Sequence, residues 1–274
     1  MRDNSTINFL TAAVTNSFRG IAPFSGTPFF TNANTTRSQL LRPLPHFGAL
    51  NTGLPAGSAW YHAFTARFER RFARGFMVQA NYTWSKSMEA TDYLNPTDSI
   101  PAHLISDLDR THRFTFAGMY ELPFFKTNRW IGGWQIQALY QGQSGPPIGF
   151  GNVAFTGAYS GLAVSTPSVQ RWFNTDGFER RAAFQLDQNI RTCPLRLGNI
   201  RGDGINVWDM SVVKNFQVFE SLKVQLRGEA EGATNTPNYN PPNTAPANTL
   251  FGQVTGTQTG QEERRIFVGL KLIF

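Results

Sequence analysis

At 274 residues the chain is long enough for one or two domains of roughly 150 residues, and its 24 Phe with abundant Gly, Pro, Asn, Thr and Gln make a strand-and-loop composition. No run approaches the roughly 18 apolar residues that a membrane helix needs, so any crossing of a bilayer falls to strands. The net charge of +7 does not signal nucleic acid, because Lys and Arg are scattered among Asp and Glu without the basic stripe that phosphates require.

Residues 1–59 are polar and turn-rich and read as an extracellular loop region. Met1–Ser17 has no basic head followed by an apolar block, so no export signal is visible. In the cluster Ser38–Phe47, Pro43 and Pro45 rule out a regular helix, and a strand remnant is expected near Ile7–Val14.

Residues 60–274 carry the strands. Successive side chains of a strand point to opposite faces, so a period of two in polarity reads directly as two surfaces. Trp60, His62, Phe64 and Phe68 oppose Thr65, Arg67 and Glu69. After a tight turn at Ala73-Arg74-Gly75, Phe76, Val78, Ala80, Tyr82 and Trp84 oppose Gln79, Asn81 and Thr83. Beyond a loop over residues 87–111, Phe114, Phe116, Tyr120 and Leu122 oppose Arg113, Thr115 and Glu121 until Pro123 ends the strand. Trp134, Ile136, Ala138 and Tyr140 then oppose Gln135, Gln137 and Gln141. Residues 144–205 read as irregular, a stretch of roughly sixty residues that suits a barrel rim better than a compact soluble domain. Cys193 within it is the only cysteine, which excludes an internal disulfide.

The fifth strand puts Trp208, Met210 and Val212 against Asp209 and Ser211; the sixth puts Leu222, Val224, Leu226, Gly228 and Ala230 against Lys223, Gln225, Arg227, Glu229 and Glu231. If that charged parity faced lipid, Lys223 and Arg227 would cost about 2–4 kcal/mol each near the midplane, so it must face water. After a final loop, Ile266, Val268, Leu270, Leu272 and Phe274 form an apolar row that reads as the barrel-closing strand and assembly signal.

The expected fold is therefore all-β, an antiparallel transmembrane β-barrel segment of about seven strands, odd in number and below the about eight of the smallest common bacterial barrels. It is an incomplete barrel, the C-terminal third of something larger. Short connections near Ala73, Asn128 and Phe219 alternate with long ones, which assigns the first set to the periplasmic end and the second to the outside. About ten residues at ~3.4 Å, tilted by ~40°, span the ~25 Å apolar band. Trp60, Trp84 and Tyr140 fall near the outer interface and Trp130 and Trp134 near the inner one. Arg70, Lys86 and Lys214 break the apolar parity at strand ends, where a long cation reaches headgroups. The polar parity gives a lumen-lining ladder of Arg67, Glu69, Arg113, Glu121, Asp209, Lys223, Arg227, Glu229 and Glu231.

A series of short motifs follows in fixed order from about residue 38 to the end. They are Ser38-Gln39-Leu40-Leu41-Arg42-Pro43, Tyr82-Thr83-Trp84-Ser85-Lys86-Ser87, Asp107-Leu108-Asp109-Arg110-Thr111-His112-Arg113-Phe114, Tyr120-Glu121-Leu122-Pro123-Phe124, Gly132-Gly133-Trp134-Gln135, Gln143-Ser144-Gly145-Pro146, Lys214-Asn215-Phe216 and Gly269-Leu270-Lys271-Leu272-Ile273-Phe274. In this order the chain resembles the Oar-like TonB-dependent transporter barrel. The resemblance implies a barrel of about 22 strands in a Gram-negative outer membrane, plugged by an N-terminal domain and inserted by the barrel assembly machinery among outer-membrane lipid. It also implies uptake of a bulky solute with energy relayed by TonB, and leaves the ligand unnamed.

No enzyme chemistry is expected. His46, His62, His103 and His112 are far apart and share no metal-ligand spacing, and no P-loop, nucleophile elbow or dinucleotide fingerprint occurs, so no catalytic residue, metal or cofactor is expected. Asp107, Asp109 and His112 read as a hydrogen-bonded loop entering a strand, and Gly202-Asp203-Gly204 as a turn. Alternation alone does not distinguish lipid from a partner sheet, so a secreted β-sandwich that binds glycans or serves adhesion is the alternative expectation. A hydrolase would need a catalytic group that the sequence does not display.

Overall fold

A computed structural model describes residues 4–47, 53, 55–95, 98–124, 128, 131–151, 153–182, 185, 191, 193–219, 222–258 and 263–273. Residues 4–47 hold α1 (Asn4–Thr11), β1 (Ala13–Thr15), a 3-10 turn at Ala22–Phe24, α2 (Pro28–Thr31), β2 (Asn34–Thr36) and α3 (Arg37–Leu40). Where a strand remnant was expected near Ile7–Val14, α1 forms instead, and only β1 is extended, paired with β2. The cause lies outside the segment: Arg37 stacks on the Phe9 ring at 4.1 Å and donates to the Phe9 carbonyl at 3.1 Å, serving the end of the helix where carbonyls lack intrahelical partners. The single turn of α3 stops ahead of Pro43.

The remaining strands are β3 (Ser58–Ala73), β4 (Phe76–Ala90), β5 (Leu104–Ile105), β6 (His112–Glu121), β7 (Trp134–Gln143), β8 (Pro147–Gly149), β9 (Arg196–Arg201), β10 (Ile205–Gln217), β11 (Lys223–Glu231) and β12 (Arg265–Ile273). Seven of them form one antiparallel sheet in the order β3-β4-β6-β7-β10-β11-β12, with β5 added on β4. Consecutive long strands are neighbours, so the sheet is an up-and-down meander. Arg74 and Gly75 both have positive φ, 54° and 86°, which is the backbone of the two-residue turn that matches strand twist between β3 and β4.

β3 and β4 have 16 and 15 residues, several more than a ~25 Å apolar band requires. The loop expected from Ser87 is in fact more strand: Trp60 pairs with Met88, Ser58 with Ala90, and β5 adds to Met88 and Glu89. The hairpin therefore continues past the other strands at the end that carries the long connections.

That end holds the buried core. Residues 144–204, expected to be irregular, contain the β8–β9 pair and, with the β11–β12 connection, a packed aromatic cap. Phe173 is wholly buried, with Phe150 and Phe251 edge-on to it at 5.2 and 5.3 Å and Phe178 beside Phe251 at 5.0 Å. Backbone bonds stitch the two loops: Trp172 N donates to Gly252 O and Val254 N to Val169 O, both at 2.8 Å. Arg180 lies over the Phe251 ring at 4.9 Å and donates to Pro246 O. Polyaromatic packing of this kind has no period of two, which is why the polarity pattern does not show it.

Two arginines of β9 fasten the cap to the sheet. Arg196 pairs with Glu89 of β4 and donates from Nε to Ile105 O at 2.9 Å; Arg201 pairs with Asp109 at 2.7 Å and donates to Gly145 O at 3.0 Å.

Candidate functional site

Across the seven long strands odd positions pair with odd positions, apart from the register shift beside the β3–β4 turn that sets Ala73 against Phe76: Arg67 with Asn81, Asn81 with Thr115, Thr115 with Gln141, Gln141 with Val207, Ser211 with Glu229 and Glu229 with Phe267. All nine residues of the charge ladder, Arg67, Glu69, Arg113, Glu121, Asp209, Lys223, Arg227, Glu229 and Glu231, thus stand on one face. They form local pairs rather than one cluster. Arg67 meets Glu69 at 2.7 Å, with Arg71 on the other Glu69 oxygen at 4.0 Å, and Arg227 meets Glu229 at 2.5 Å. Side chains in these pairs are a third or more exposed, so each contributes little to stability.

The even face is apolar and bare. Phe64 is 61% exposed, Val268 78% and Leu270 68%, and Phe68, Trp84, Ile266 and Leu272 are exposed beside them. No second sheet covers this face among the described residues, whereas a β-sandwich needs one there. Of the closing-strand residues, Ile266, Val268, Leu270 and Leu272 lie on β12, which pairs with β11 on one side. Phe274 and Trp130 lie outside the described residues. Trp60 packs on His103 at 5.3 Å, and Tyr140 forms a lipid-side cluster with Trp208 at 4.6 Å and Phe114 at 5.8 Å.

Of the three cationic exceptions Lys86 is exposed, whereas Lys214 and Arg70 lie against aromatic rings. Lys214 is fully enclosed, its Nζ 4.9 Å from the Phe216 ring and 5.4 Å from that of Trp134, with no hydrogen-bond acceptor among the described residues. Arg70 lies over Phe76 at 3.9 Å. Aromatic faces next in register hold both cations back against the sheet.

At the long-loop end of the odd face is a cavity of about 480 Å³, lined by strand residues from β4 through β12 and by the turn that follows β11. Walls drawn from strands so far apart in the sheet require it to curl around the space. Carboxamides dominate: Gln79, Asn81, Gln141, Asn206, Asn235 and Asn238. Asn81 donates to Thr115 Oγ1 at 3.3 Å, Asp209 accepts from Gly232 N at 2.9 Å, and Asn235 accepts from Arg264 N at 3.2 Å. Of the predicted ladder, only Asp209 and Glu231 belong to this cavity. Its carboxamides escaped the sequence reading because Asn and Gln only register there as generically polar; their density at Gln79, Asn81, Gln135, Gln137, Gln141 and Gln143 was the available sign.

The trio Asp107, Asp109 and His112 does not converge. Asp109 is buried in the loop before β6, accepting from Ser87 N at 2.6 Å, Arg201 at 2.7 Å and Thr111 Oγ1 at 3.0 Å. Burial alone would push its carboxyl up, but the Ser87 amide, the Arg201 guanidinium and the Thr111 hydroxyl outweigh it and hold the group below the ordinary carboxylate range. His112 instead accepts from or donates to Tyr82 Oη at 2.8 Å. Asp203 is more than a turn residue: Oδ2 accepts from Tyr239 N at 2.7 Å, tying the last two long loops together.

Comparison with curated proteins and with solved structures gives no match. A family model described as outer membrane beta barrel domain matches residues 3–267. The meander of seven antiparallel strands, wet on its odd face and apolar on its even face, agrees with that match, and the chain belongs to the outer membrane beta barrel domain family.

Proposed function

We propose that this outer-membrane chain is the C-terminal barrel portion of an Oar-like, TonB-dependent transporter that takes up a bulky solute across a Gram-negative outer membrane, and that it is not an enzyme. The observation that carries this is a cavity on the polar face in a molecule whose long connections fold into a packed cap. A passive pore needs an open mouth, whereas loops folded into their own aromatic core suit a receptor that binds before it admits. Among the described residues β3 and β12 each pair on one side only, as the end strands of an arc within a wider, plugged barrel would. The charge pairs on the odd face would line that lumen and meet the plug.

The test is retention of the full-length protein, in detergent, on immobilised C-terminal domain of TonB. Retention that strengthens after cell-derived solute is added agrees with the proposal. A full-length protein that never engages TonB, and whose cells take up solutes equally well after the proton-motive force is collapsed, sinks it.

A further inference from the structure

We infer that the cavity at the outer end of the polar face is a binding site for a neutral, hydroxyl-rich solute of the saccharide class; this rests on the transporter reading and names the kind of cargo. Its size lies within the about 300–1,000 Å³ usual for small-molecule sites.

The chemistry of the wall selects the ligand. A carboxamide presents two donors and an acceptor in one plane, and a sugar hydroxyl both donates and accepts, so the two satisfy each other without any ionised group. Gln79, Asn81, Gln141, Asn235 and Asn238 bring five carboxamides to this one space. The side chains of Gln79 and Gln141, both on the odd face, make no hydrogen bond among the described residues, so they are free to serve a ligand. Asn238 is 1% exposed; its Oδ1 is used by Asn206 N at 3.0 Å, while its Nδ2 is buried at the wall with no acceptor among the described residues. A buried donor without a partner costs about 1–3 kcal/mol, which a ligand oxygen or its bridging water would recover.

Two further features exclude the rival cargoes. The charged residues of the wall nearly cancel, with Asp209, Glu231 and Glu263 against Arg264 and Arg265. An anionic metal chelate would call for a cationic cluster and a basic peptide for an acidic one. Leu139 is an apolar residue on the polar parity, 55% exposed and in the same wall. Water gains nothing from it there, whereas the C–H face of a pyranose ring would cover it.

The experiment uses full-length protein in detergent on an array of neutral oligosaccharides of glucose, galactose, mannose, xylose and N-acetylglucosamine, followed by calorimetric titration of the best binder. A ferric trihydroxamate and a mixed peptide pool serve as competing probes. Binding to a neutral oligosaccharide that weakens at least tenfold in the Gln79→Leu/Gln141→Leu variant, and is unchanged in Gln225→Leu lower on the same face, is expected. The inference is overturned by binding of the chelate or peptides alone, by no oligosaccharide binding at all, or by oligosaccharide binding indifferent to Gln79 and Gln141. Retention on TonB is a separate readout: saccharide binding without it removes the transport reading and leaves the site, and retention with only chelate binding does the reverse.

Discussion

The Arg201 guanidinium and the Asp109 carboxylate meet at 2.7 Å across 92 residues of sequence, joining the strand that edges the cap to the loop that feeds β6. Asp109 is enclosed, so removing Arg201 leaves a buried carboxylate short of its counter-charge. Arg201→Ala is expected to cost about 3 kcal/mol of cap stability. The measurement is limited proteolysis between residues 144 and 204, with the heat-modifiable gel mobility of the barrel as a control that stays unchanged.

The same pair sets a pH dependence. The carboxyl of Asp109 is held below its ordinary range when the cap is docked, so its contribution is fully present above that ordinary range and is lost as pH falls through the depressed value. Cap protection should therefore hold from neutrality down to about pH 4 and weaken only in more acidic solution. In Asp109→Asn the acid-induced weakening should be smaller, on a cap that is less stable at pH 7. A wild-type cap that loosens between pH 7 and 5 would contradict the assignment.

Phe173 is the centre of the cap, in ring contact with Phe150, Phe178 and Phe251. Phe173→Ala should cost about 3–5 kcal/mol there and nearly nothing in the sheet. Fluorescence of Trp172, whose indole donates to Arg201 O at 2.7 Å, would report the loosened cap.

Cys193 offers a chemical clock for the same event. It is buried in the cap, and burial pushes its thiol up to about 11, so at pH 8 only about one molecule in a thousand carries the thiolate. A maleimide should label wild type slowly and label Phe173→Ala or Arg201→Ala much faster. Equal rates in all three would show that the thiol is reached without opening the cap.

The two faces of β11 can be told apart with one substitution on each. Leu226→Arg places a cation on the apolar face and should cost about 2–4 kcal/mol in a bilayer, whereas Gln225→Arg on the polar face should be nearly neutral. Refolding into lipid vesicles across a urea series would resolve the difference, and equal effects would contradict the assignment of lipid to even positions.

The sheet was legible because a period of two runs through its long strands, and the register keeps odd against odd across them except beside the β3–β4 turn, where Ala73 pairs with Phe76. The cap was not. Its apolar side chains come from residues 148–200 and from Phe251 and Val254, and they gain their places from one another rather than from a strand period. Glu89 and Arg196 are 107 residues apart, and nothing local in either marks it as half of a pair. Gly145 shows the same limit: a Cβ there would lie 1.9 Å from Gly202 O, a close approach of two chain segments that only the folded molecule displays.

Phenylalanine has opposite fates in this molecule: Phe64, Phe68 and Phe72 project from the sheet, whereas Phe150, Phe173 and Phe251 are sealed in the cap. The two groups answer to different solvents. Opening the cap would wet its rings and so must raise the heat capacity, while the sheet rings already sit outside the protein and exchange nothing with water. Chilling therefore works against the cap alone, because the drive that gathers its rings weakens in the cold while their counterparts in the bilayer do not feel that change.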